Sequence, residues 1–289
     1  MTVGAFPLGC LFEMDGEHND ICGGPNRDAA EQLAGVVSVP DEALALLQYL
    51  PAFKDQGSLG DPRGSSLTCA AHGIANGAET RLRALGFEVP PSAIRQIYTL
   101  SNQLLRSYRG ERLQDVGTYP RVAMKACAEW GVAPDSAWPF RDPVTGAIND
   151  VTKDVPPDVL QKASAWKLKE QTTIYATGAE RVRLVCAALA PKAGMPGEPI
   201  PCAGPVDRVF MSYGGHGVLP APDPNDDLGG HMVCIICFRT NAQKKREFLI
   251  RNSWPGWGFT MQNQESLGWC SEEWLMAQRD VFSLSVTRH

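Results

Sequence analysis

The sequence predicts an α+β protein in which helices come first and strands follow. Between about residues 67 and 130, apolar residues recur every three or four positions, a spacing typical of helices. After about residue 206, apolar and β-branched runs separated by turns are typical of strands. This segregation favours a helical lobe beside an antiparallel sheet or barrel lobe.

Composition narrows the class of protein. The chain has 289 residues, is 44% hydrophobic and carries a formal charge of −5. It can therefore bury a core, and its composition gives no reason to expect nucleic acid or a membrane as partner. No apolar run approaches a membrane span, and the first twenty residues make a poor secretory signal. We therefore expect a cytoplasmic protein, or one exported without a cleaved signal.

The nine cysteines are scattered and odd in number, which is not the pattern of a disulfide framework. We expect most of them to be reduced. At least one cysteine must be unpaired within the chain, which leaves room for a reactive thiol.

The clearest predicted helix runs from Leu67 to Leu85, with Gly86 as its stop and Cys69 in its first turn. Ser65, Ser66 and Thr68 are candidate N-caps. Similar patterns predict further helices over Asp41–Leu50, Pro91 to about Tyr108, Tyr119–Trp130 and Glu180–Leu189.

Three runs are predicted as strands: Val206–Tyr213, Met232–Phe238 and Glu247–Arg251. Residues 139–175 have an extended, loop-like pattern, and the Pro- and Gly-rich residues 191–204 are interpreted as an insertion. Residues 1–36 are predicted to be an irregular N-terminal arm. The main domain would span 37–289, with a helical lobe over about 55–140 and a β lobe over about 141–289.

Cys69 is the first candidate for chemistry. A thiol at a helix N-terminus lies at the positive end of the helix dipole, which favours the thiolate. Thiolate is the nucleophile of acyl transfer. The alternative is a small buried core residue, which is the commoner state of a cysteine.

Four blocks set this cysteine in a wider pattern. They are Gln56-Gly57-Ser58, the helix from Cys69 to Glu79, Gly229-Gly230-His231, and Asn252-Ser253-Trp254 with its following Gly-Trp-Gly. In order and spacing the chain resembles the papain family of cysteine peptidases, from about residue 38 to the C-terminus. Asp115–Pro120 and the Trp138-Pro139-Phe140 segment extend the resemblance.

The resemblance implies a two-lobe fold with the active-site cleft between the lobes, and it implies roles. Cys69 would be the nucleophile, His231 the general base and Asn252 the residue that orients the imidazole. Gln56 and the backbone N–H of Cys69 would form the oxyanion hole. Trp254 would shield the histidine and Trp257 would border the leaving-group side. Both would also contact substrate, together with Thr118, Tyr119, Pro120 and Gly230.

The sequence also departs from the family pattern. The family's C-G-[SA]-C-[WY] signature is absent, and Leu59 stands where its first cysteine would be. About seven extra residues lie between Gln56 and Cys69. A gapless alignment would place Pro62 at the nucleophile position, and another would use Gly64-Ser65-Ser66; only the Cys69 register aligns Glu79 and the helix.

Other residues have competing interpretations. His216 is an alternative general base, and His72 lies one turn after Cys69, where a packing role is favoured. Cys234 and Cys237 form a C-x-x-C pair, but in a strand residues three apart face opposite sides, so we expect buried core and no metal site. No cofactor is expected.

The expected activity is hydrolysis of peptide bonds in a protein or peptide substrate, with a mild preference for apolar side chains. The peptidase would be intracellular or delivered like an effector, and it could have a cognate protein inhibitor. If an amine accepts the acyl group in place of water, the protein would be a transglutaminase or transpeptidase. If Cys69 is unreactive, the protein would be a binding module. Residues 1–36 could lie over the cleft and restrain activity, or pack on the β lobe.

Overall fold

The helical part of the molecule is built around one buried helix. The computed structural model describes residues 8–10, 27–28, 39–109, 113–163, 165–192 and 194–287, and none of the helices in these ranges is long and apolar enough to cross a bilayer. Its larger helices are α1 (Cys69–Ala84), α2 (Ile94–Arg109) and α3 (Pro120–Trp130). Every residue from Cys69 to Leu82 is buried, because α1 packs on both α2 and the sheet.

Small residues allow α1 to approach the sheet closely. A Cβ added at Gly73 would lie 2.8 Å from Met232 Cγ, and one at Gly77 would lie 2.6 Å from Leu284 Cδ1. Side chains at these positions would push the helix away from the strands. The glycines inside this helix, which lower helix propensity, are therefore explained by packing.

The later helices are α4 (Pro157–Gln161), α5 (Gly178–Leu189), α6 (Arg208–Met211) and α7 (Glu272–Met276). The predicted helix over Asp41–Leu50 is instead a two-residue strand, Glu42–Ala43, followed by a 3₁₀ helix over Ala45–Tyr49. α2 begins three residues later than predicted, since the backbone N–H of Ser92 donates to Glu79 and that of Ala93 donates to Ala133 O.

The strands form one mostly antiparallel sheet. They are β1 (Arg27–Asp28), β2 (Glu42–Ala43), β3 (Lys167–Thr173), β4 (Ile200–Val206), β5 (Val218–Leu219), β6 (Gly229–Thr240), β7 (Arg246–Arg251), β8 (Phe259–Met261), β9 (Gln264–Ser271) and β10 (Asp280–Thr287). The order is β1-β3-β10-β4-β6-β7-β9-β5, with β2 beside β6 and β8 beside β9. The α+β class predicted from the sequence is confirmed.

One strand prediction was wrong, and two segments predicted to be loop-like contain regular structure. Residues 206–213 are not a strand: β4 ends at Val206, and Asp207 caps the short helix α6 by accepting a hydrogen bond from the Phe210 N–H (2.8 Å). The Pro-rich insertion is partly sheet, because β4 itself contains Pro201 and Pro205. Residues 139–175, predicted as extended and loop-like, contain helix α4 as well as strand β3.

The core is divided between two large apolar clusters. One surrounds α1, α2 and α3 and includes Cys69, and the other fills the sheet side around α5 and includes Trp254. α1 packs directly on β6, so the first residue of α1 lies at the junction of the two clusters. This junction positions the candidate site.

A buried ion pair holds α1 to the loop before it. Lys54 Nζ lies 2.8 Å from Glu79 Oε2, and the Glu79 side chain is fully buried while that of Lys54 is 12% exposed. A buried carboxylate without its partner is strongly destabilising.

We expect Lys54→Met to lower the free energy of unfolding by about 3 kcal/mol, because it leaves the Glu79 charge buried without a cation. Lys162→Met is the matched control: its pair with Asp158 is 3.4 Å long and exposed on both sides, so the change should stay within about 0.5 kcal/mol. Urea unfolding followed by tryptophan fluorescence measures both, and equal effects would contradict the role of burial.

Candidate active site

Cys69 is the first residue of α1 and is fully buried. Burial by itself raises the pKa of the thiol. Hydrogen bonds from Cys10, from His231 and from the Met232 N–H, together with the charge of His231, oppose burial and bring the pKa of Cys69 well below its ordinary value. The thiolate is therefore the favoured form of this side chain.

His231 and Asn252 come from neighbouring strands of the sheet. His231 is the third residue of β6, and Asn252 follows the last residue of β7. His231 Nε2 lies 2.7 Å from Asn252 Oδ1, and the same oxygen accepts a hydrogen bond from the Ser253 N–H at 2.7 Å. The amide oxygen is thus fixed as an acceptor, so Nε2 of His231 is the donor.

This bond leaves the other ring nitrogen for chemistry. His231 Nδ1 is buried, and apart from the contact of His231 with Cys69 that lowers the thiol pKa, it has no hydrogen-bond partner among the residues that the structure describes. In the neutral ring Nδ1 is unprotonated and can accept the thiol proton of Cys69, which gives an imidazolium beside a thiolate.

Aromatic rings enclose the histidine. Trp254 stacks on His231 with ring centroids 4.0 Å apart, and Phe210 lies edge-on to the same ring at 5.9 Å. Trp257 lies behind Phe210 and donates from its indole N–H to Phe210 O at 2.7 Å. The Trp254 and Trp257 side chains are buried, so their predicted contact with substrate remains a prediction, while shielding of the histidine from water follows from the packing.

Gln56 is held at the same site by three hydrogen bonds. Its amide Nε2 donates to Ser66 O (2.8 Å), Ser253 Oγ donates to its Oε1 (2.7 Å), and its backbone N–H donates to Ser253 O (2.9 Å). Ser253 therefore connects Gln56 to Asn252. Sequence reasoning gave Ser253 no role, although it stands beside Asn252 in the motif.

The extra residues between Gln56 and Cys69 form a side loop. Gly57 pairs with Ser65 across the base of this loop, and a Cβ at Gly57 would lie 2.3 Å from Gly64 O. Gln56 and Ser66 are thereby neighbours despite their separation in sequence. Pro62 is exposed in the loop, which supports Cys69 over Pro62 as the nucleophile position.

A short N-terminal segment, Leu8-Gly9-Cys10, lies across Cys69. The Cys10 N–H donates to Gly230 O (3.0 Å), and the Thr118 N–H donates to Gly9 O (2.8 Å). Cys10 Sγ lies 3.4 Å from Cys69 Sγ. Two of the predicted substrate-binding residues, Thr118 and Gly230, thus hold an extended stretch of the chain's own backbone.

The segment fits with little spare room. A Cβ at Gly9 would lie 2.0 Å from Leu67 O, and one at Gly117 would lie 2.3 Å from Gly9 O. Only a residue without a side chain can pass here. Cys10 was not predicted to be part of the site. In the sequence it is a single cysteine after a glycine, in a stretch without helical or strand periodicity, and this gives little indication of a role.

Of the predicted arm over 1–36, the structure describes only residues 8–10 and 27–28; the rest lies outside the described residues. The position of 8–10 is compatible with the hypothesis that the arm covers the cleft. Tyr119 and Pro120, two further predicted substrate-binding residues, are buried next to Thr118 at the start of α3.

The other residues considered for catalysis or metal binding lie in other parts of the fold or are buried in the core. His72 is buried against Phe140 with Nδ1 3.0 Å from Thr68 O, and burial above all lowers its pKa to about 3. His216 is exposed in the connection between α6 and β5. Cys234 and Cys237 are buried free thiols in β6, with an irregular register between Ile235 and Cys237. No metal-ligand cluster occurs among the residues that the structure describes.

Comparison with solved structures identifies the fold. No family model and no curated protein matches the sequence. Among solved structures, xylellain, a cysteine protease from Xylella fastidiosa, is 20% identical with a TM-score of 0.66, covering 99% of this chain and 98% of that one. A procathepsin B from Trypanosoma congolense has 13% identity and a TM-score of 0.64, covering 96% and 87%. The bromelain protease of Ananas comosus, in complex with the E64 inhibitor, has 15% identity and a TM-score of 0.58, covering 86% and 99%. The chain has the papain-like fold that its motifs predict.

We expect Gly9→Ala to expose Cys69, because the added methyl group cannot fit against Leu67 O and the segment must leave the cleft. Labelling of Cys69 by an epoxide probe should become at least about tenfold faster than in the wild type. This is the increase expected when the equilibrium between the closed and the open site shifts toward the open form by more than about 1.4 kcal/mol. Gly214→Ala, at an open position, is the control and should label at the wild-type rate. Equal rates in all three proteins would mean that the segment does not limit access.

The lowered pKa of Cys69 predicts an unusual pH profile for its alkylation by iodoacetamide. An ordinary thiol loses about tenfold in rate per pH unit below about 8.5, because only the thiolate reacts. In the Gly9→Ala background, Cys69 should keep its plateau rate through neutral pH and slow only as the pH falls past its lowered pKa. His231→Ala in the same background removes the stabilising cation and should restore the ordinary profile; two superimposable profiles would contradict the pairing.

Proposed function

We propose that the protein is a cysteine peptidase that hydrolyses peptide bonds through an acyl-enzyme on Cys69. The observation that carries the proposal is the Cys69–His231–Asn252 constellation at the junction of the two core clusters, with the pKa of the thiol lowered. A structural thiol in the core would have its pKa raised by burial, as that of Cys186 is, to about 12.

In the proposed reaction, Cys69 thiolate attacks the carbonyl carbon of the scissile bond. The negative charge that develops on the carbonyl oxygen is stabilised by the Cys69 N–H and by the Gln56 amide. The His231 imidazolium then gives its proton to the leaving amine, and the acyl group stays on Cys69 as a thioester.

Water resolves the thioester in the second half. Neutral His231 takes a proton from the attacking water through Nδ1, while Nε2 keeps its hydrogen bond to Asn252. Collapse of the tetrahedral intermediate expels the Cys69 thiolate and releases the new carboxylate. Asn252 and Ser253 act as positioning residues, because they fix the ring and the Gln56 amide and do not touch the reacting atoms.

A peptide is the substrate class that the cleft edges favour. Thr118 N–H and Gly230 O offer one donor and one acceptor to an extended backbone, and Leu8-Gly9-Cys10 uses both. Leu8 also packs against the apolar cluster of the β side. This supports substrates with an apolar side chain near the scissile bond.

We expect Cys69→Ala and His231→Ala to abolish hydrolysis of an unfolded protein substrate, since each removes a reacting group. Gln56→Ala should lower kcat about 10²- to 10³-fold, the usual effect of losing one oxyanion donor. His216→Ala is the matched control and should leave turnover unchanged. Steady-state kinetics in reducing buffer measures these effects, and loss of activity in His216→Ala would reassign the base.

The reaction products show whether water or an amine accepts the acyl group from Cys69. In the presence of a primary amine, hydrolysis gives free carboxylates, whereas acyl transfer gives amine adducts that mass spectrometry identifies. If adducts dominate at low amine concentration, the protein is a transferase. If Gly9→Ala neither labels nor cleaves, the fold serves as a binding module.

A further inference from the structure

We infer that Cys10 is a redox latch for the active site: it forms a reversible disulfide with Cys69 that locks Leu8-Gly9-Cys10 in the cleft. The inference rests on the proposed function in that Cys69 is taken as the nucleophile. It adds a modification site and a chemical signal that controls the site.

The geometry brings the two sulfur atoms together before any bond is formed. Cys10 Sγ lies 3.4 Å from Cys69 Sγ, about 1.4 Å longer than a disulfide bond. The backbone of Cys10 is fixed by its hydrogen bond to Gly230 O, and that of Gly9 by Thr118 N–H. Because the segment is already held on both sides, closing the disulfide requires only a small movement of two side chains.

The two thiols differ in the way that such a reaction requires. Burial, the hydrogen bond to Cys69 and the charge of Cys69 raise the pKa of Cys10, whereas the pKa of Cys69 is lowered. Cys10 is therefore the thiol that donates its proton in the S–H···S⁻ contact, and Cys69 is the thiolate, which is the form that reacts with oxidants.

The remaining thiols do not offer this arrangement. Among the described residues, the other cysteines are Cys127, Cys186, Cys202, Cys234, Cys237 and Cys270, all buried and free, and burial raises the pKa of each. None of them shares a sulfur–sulfur hydrogen bond like that of Cys10 and Cys69 within the part of the chain that the structure describes.

A peroxide is the class of oxidant that closes the latch. Cys69 thiolate attacks the O–O bond of hydrogen peroxide, giving Cys69 sulfenic acid and hydroxide. The Cys10 thiol then attacks the sulfenic sulfur, the S–S bond forms, and the hydroxyl group leaves with the Cys10 proton as water. Two electrons pass from the two sulfurs to the peroxide.

A small thiol reductant opens the latch. Its thiolate attacks Cys10, which is 6% exposed, in preference to Cys69, which has no exposed surface. The leaving group is then Cys69, whose lowered pKa makes it a good one. A second thiol frees Cys10 as a thiol, and the reductant is released as its own disulfide. The latch protects Cys69 because a disulfide is reducible, whereas the sulfinic and sulfonic acids of further oxidation are not recovered by thiols.

The test uses the full chain as wild type, Cys10→Ser and Cys22→Ser. Each protein is treated with hydrogen peroxide, its free thiols are alkylated, and it is digested with trypsin without reduction. Cleavage after Arg27, Arg63 and Arg81 places Cys10 in peptide 1–27 and Cys69 in peptide 64–81. Because Cys22 lies in the same peptide as Cys10, the Cys22→Ser variant is the matched control.

The expected result is a cross-linked pair of these peptides, lighter than their sum by two hydrogens, in the wild type and in Cys22→Ser but not in Cys10→Ser. Epoxide labelling of Cys69 should be lost after peroxide in all three proteins. Dithiothreitol should restore it in the wild type and in Cys22→Ser, but not in Cys10→Ser, where Cys69 is oxidised further.

Three outcomes would overturn the latch: separate alkylated peptides with no cross-link, a cross-link that persists in Cys10→Ser, or equal recovery of labelling in Cys10→Ser and wild type. Hydrolysis by the reduced protein is scored independently. Hydrolysis without the cross-link removes the latch and keeps the peptidase; the cross-link without hydrolysis removes the peptidase and leaves a redox-active cysteine pair.

Discussion

The structure depends on the burial of helix α1 between the other helices and the sheet. Gly73 and Gly77 let this helix approach the strands, and the Lys54–Glu79 ion pair ties it to the preceding loop. The helix dipole and the neighbouring strand β6 then act on the same atom, the sulfur of Cys69. A looser contact between α1 and β6 would separate the thiol from His231. The packing of the two lobes therefore also determines the reactivity of the site.

A second layer of polar contacts makes the site rigid. Ser253 donates from its hydroxyl to Gln56 and from its backbone N–H to Asn252, which in turn holds His231. The group proposed to stabilise the oxyanion and the group proposed to move the proton are thereby positioned by the same residue. Trp254 and Phe210 cover this network with apolar surface, where hydrogen bonds are stronger than in water.

Much of this could be predicted from the sequence, because it is local. The period of α1 and the position of Cys69 in its first turn were readable from short stretches of residues, whereas the roles of Gln56, His231 and Asn252 were expected from the resemblance of their motifs to the papain family. β4 was missed because Pro201 and Pro205 give it the composition of a loop, and the long-range pairing with β6 overrides that signal. The contact between Cys10 and Cys69 was unpredictable for the same reason: it joins residues 59 positions apart through backbone bonds that leave no periodic trace.

The seating of Leu8-Gly9-Cys10 also fixes how the cleft responds to concentration. The occupant is part of the same chain, so its encounter with the cleft is intramolecular and diluting the protein does not release it. An external peptide therefore competes with a neighbour that is never depleted. For the proposed peptidase, only abundant or tightly bound polypeptides would displace the segment, so the strength with which the segment binds would set the lowest affinity that a substrate needs.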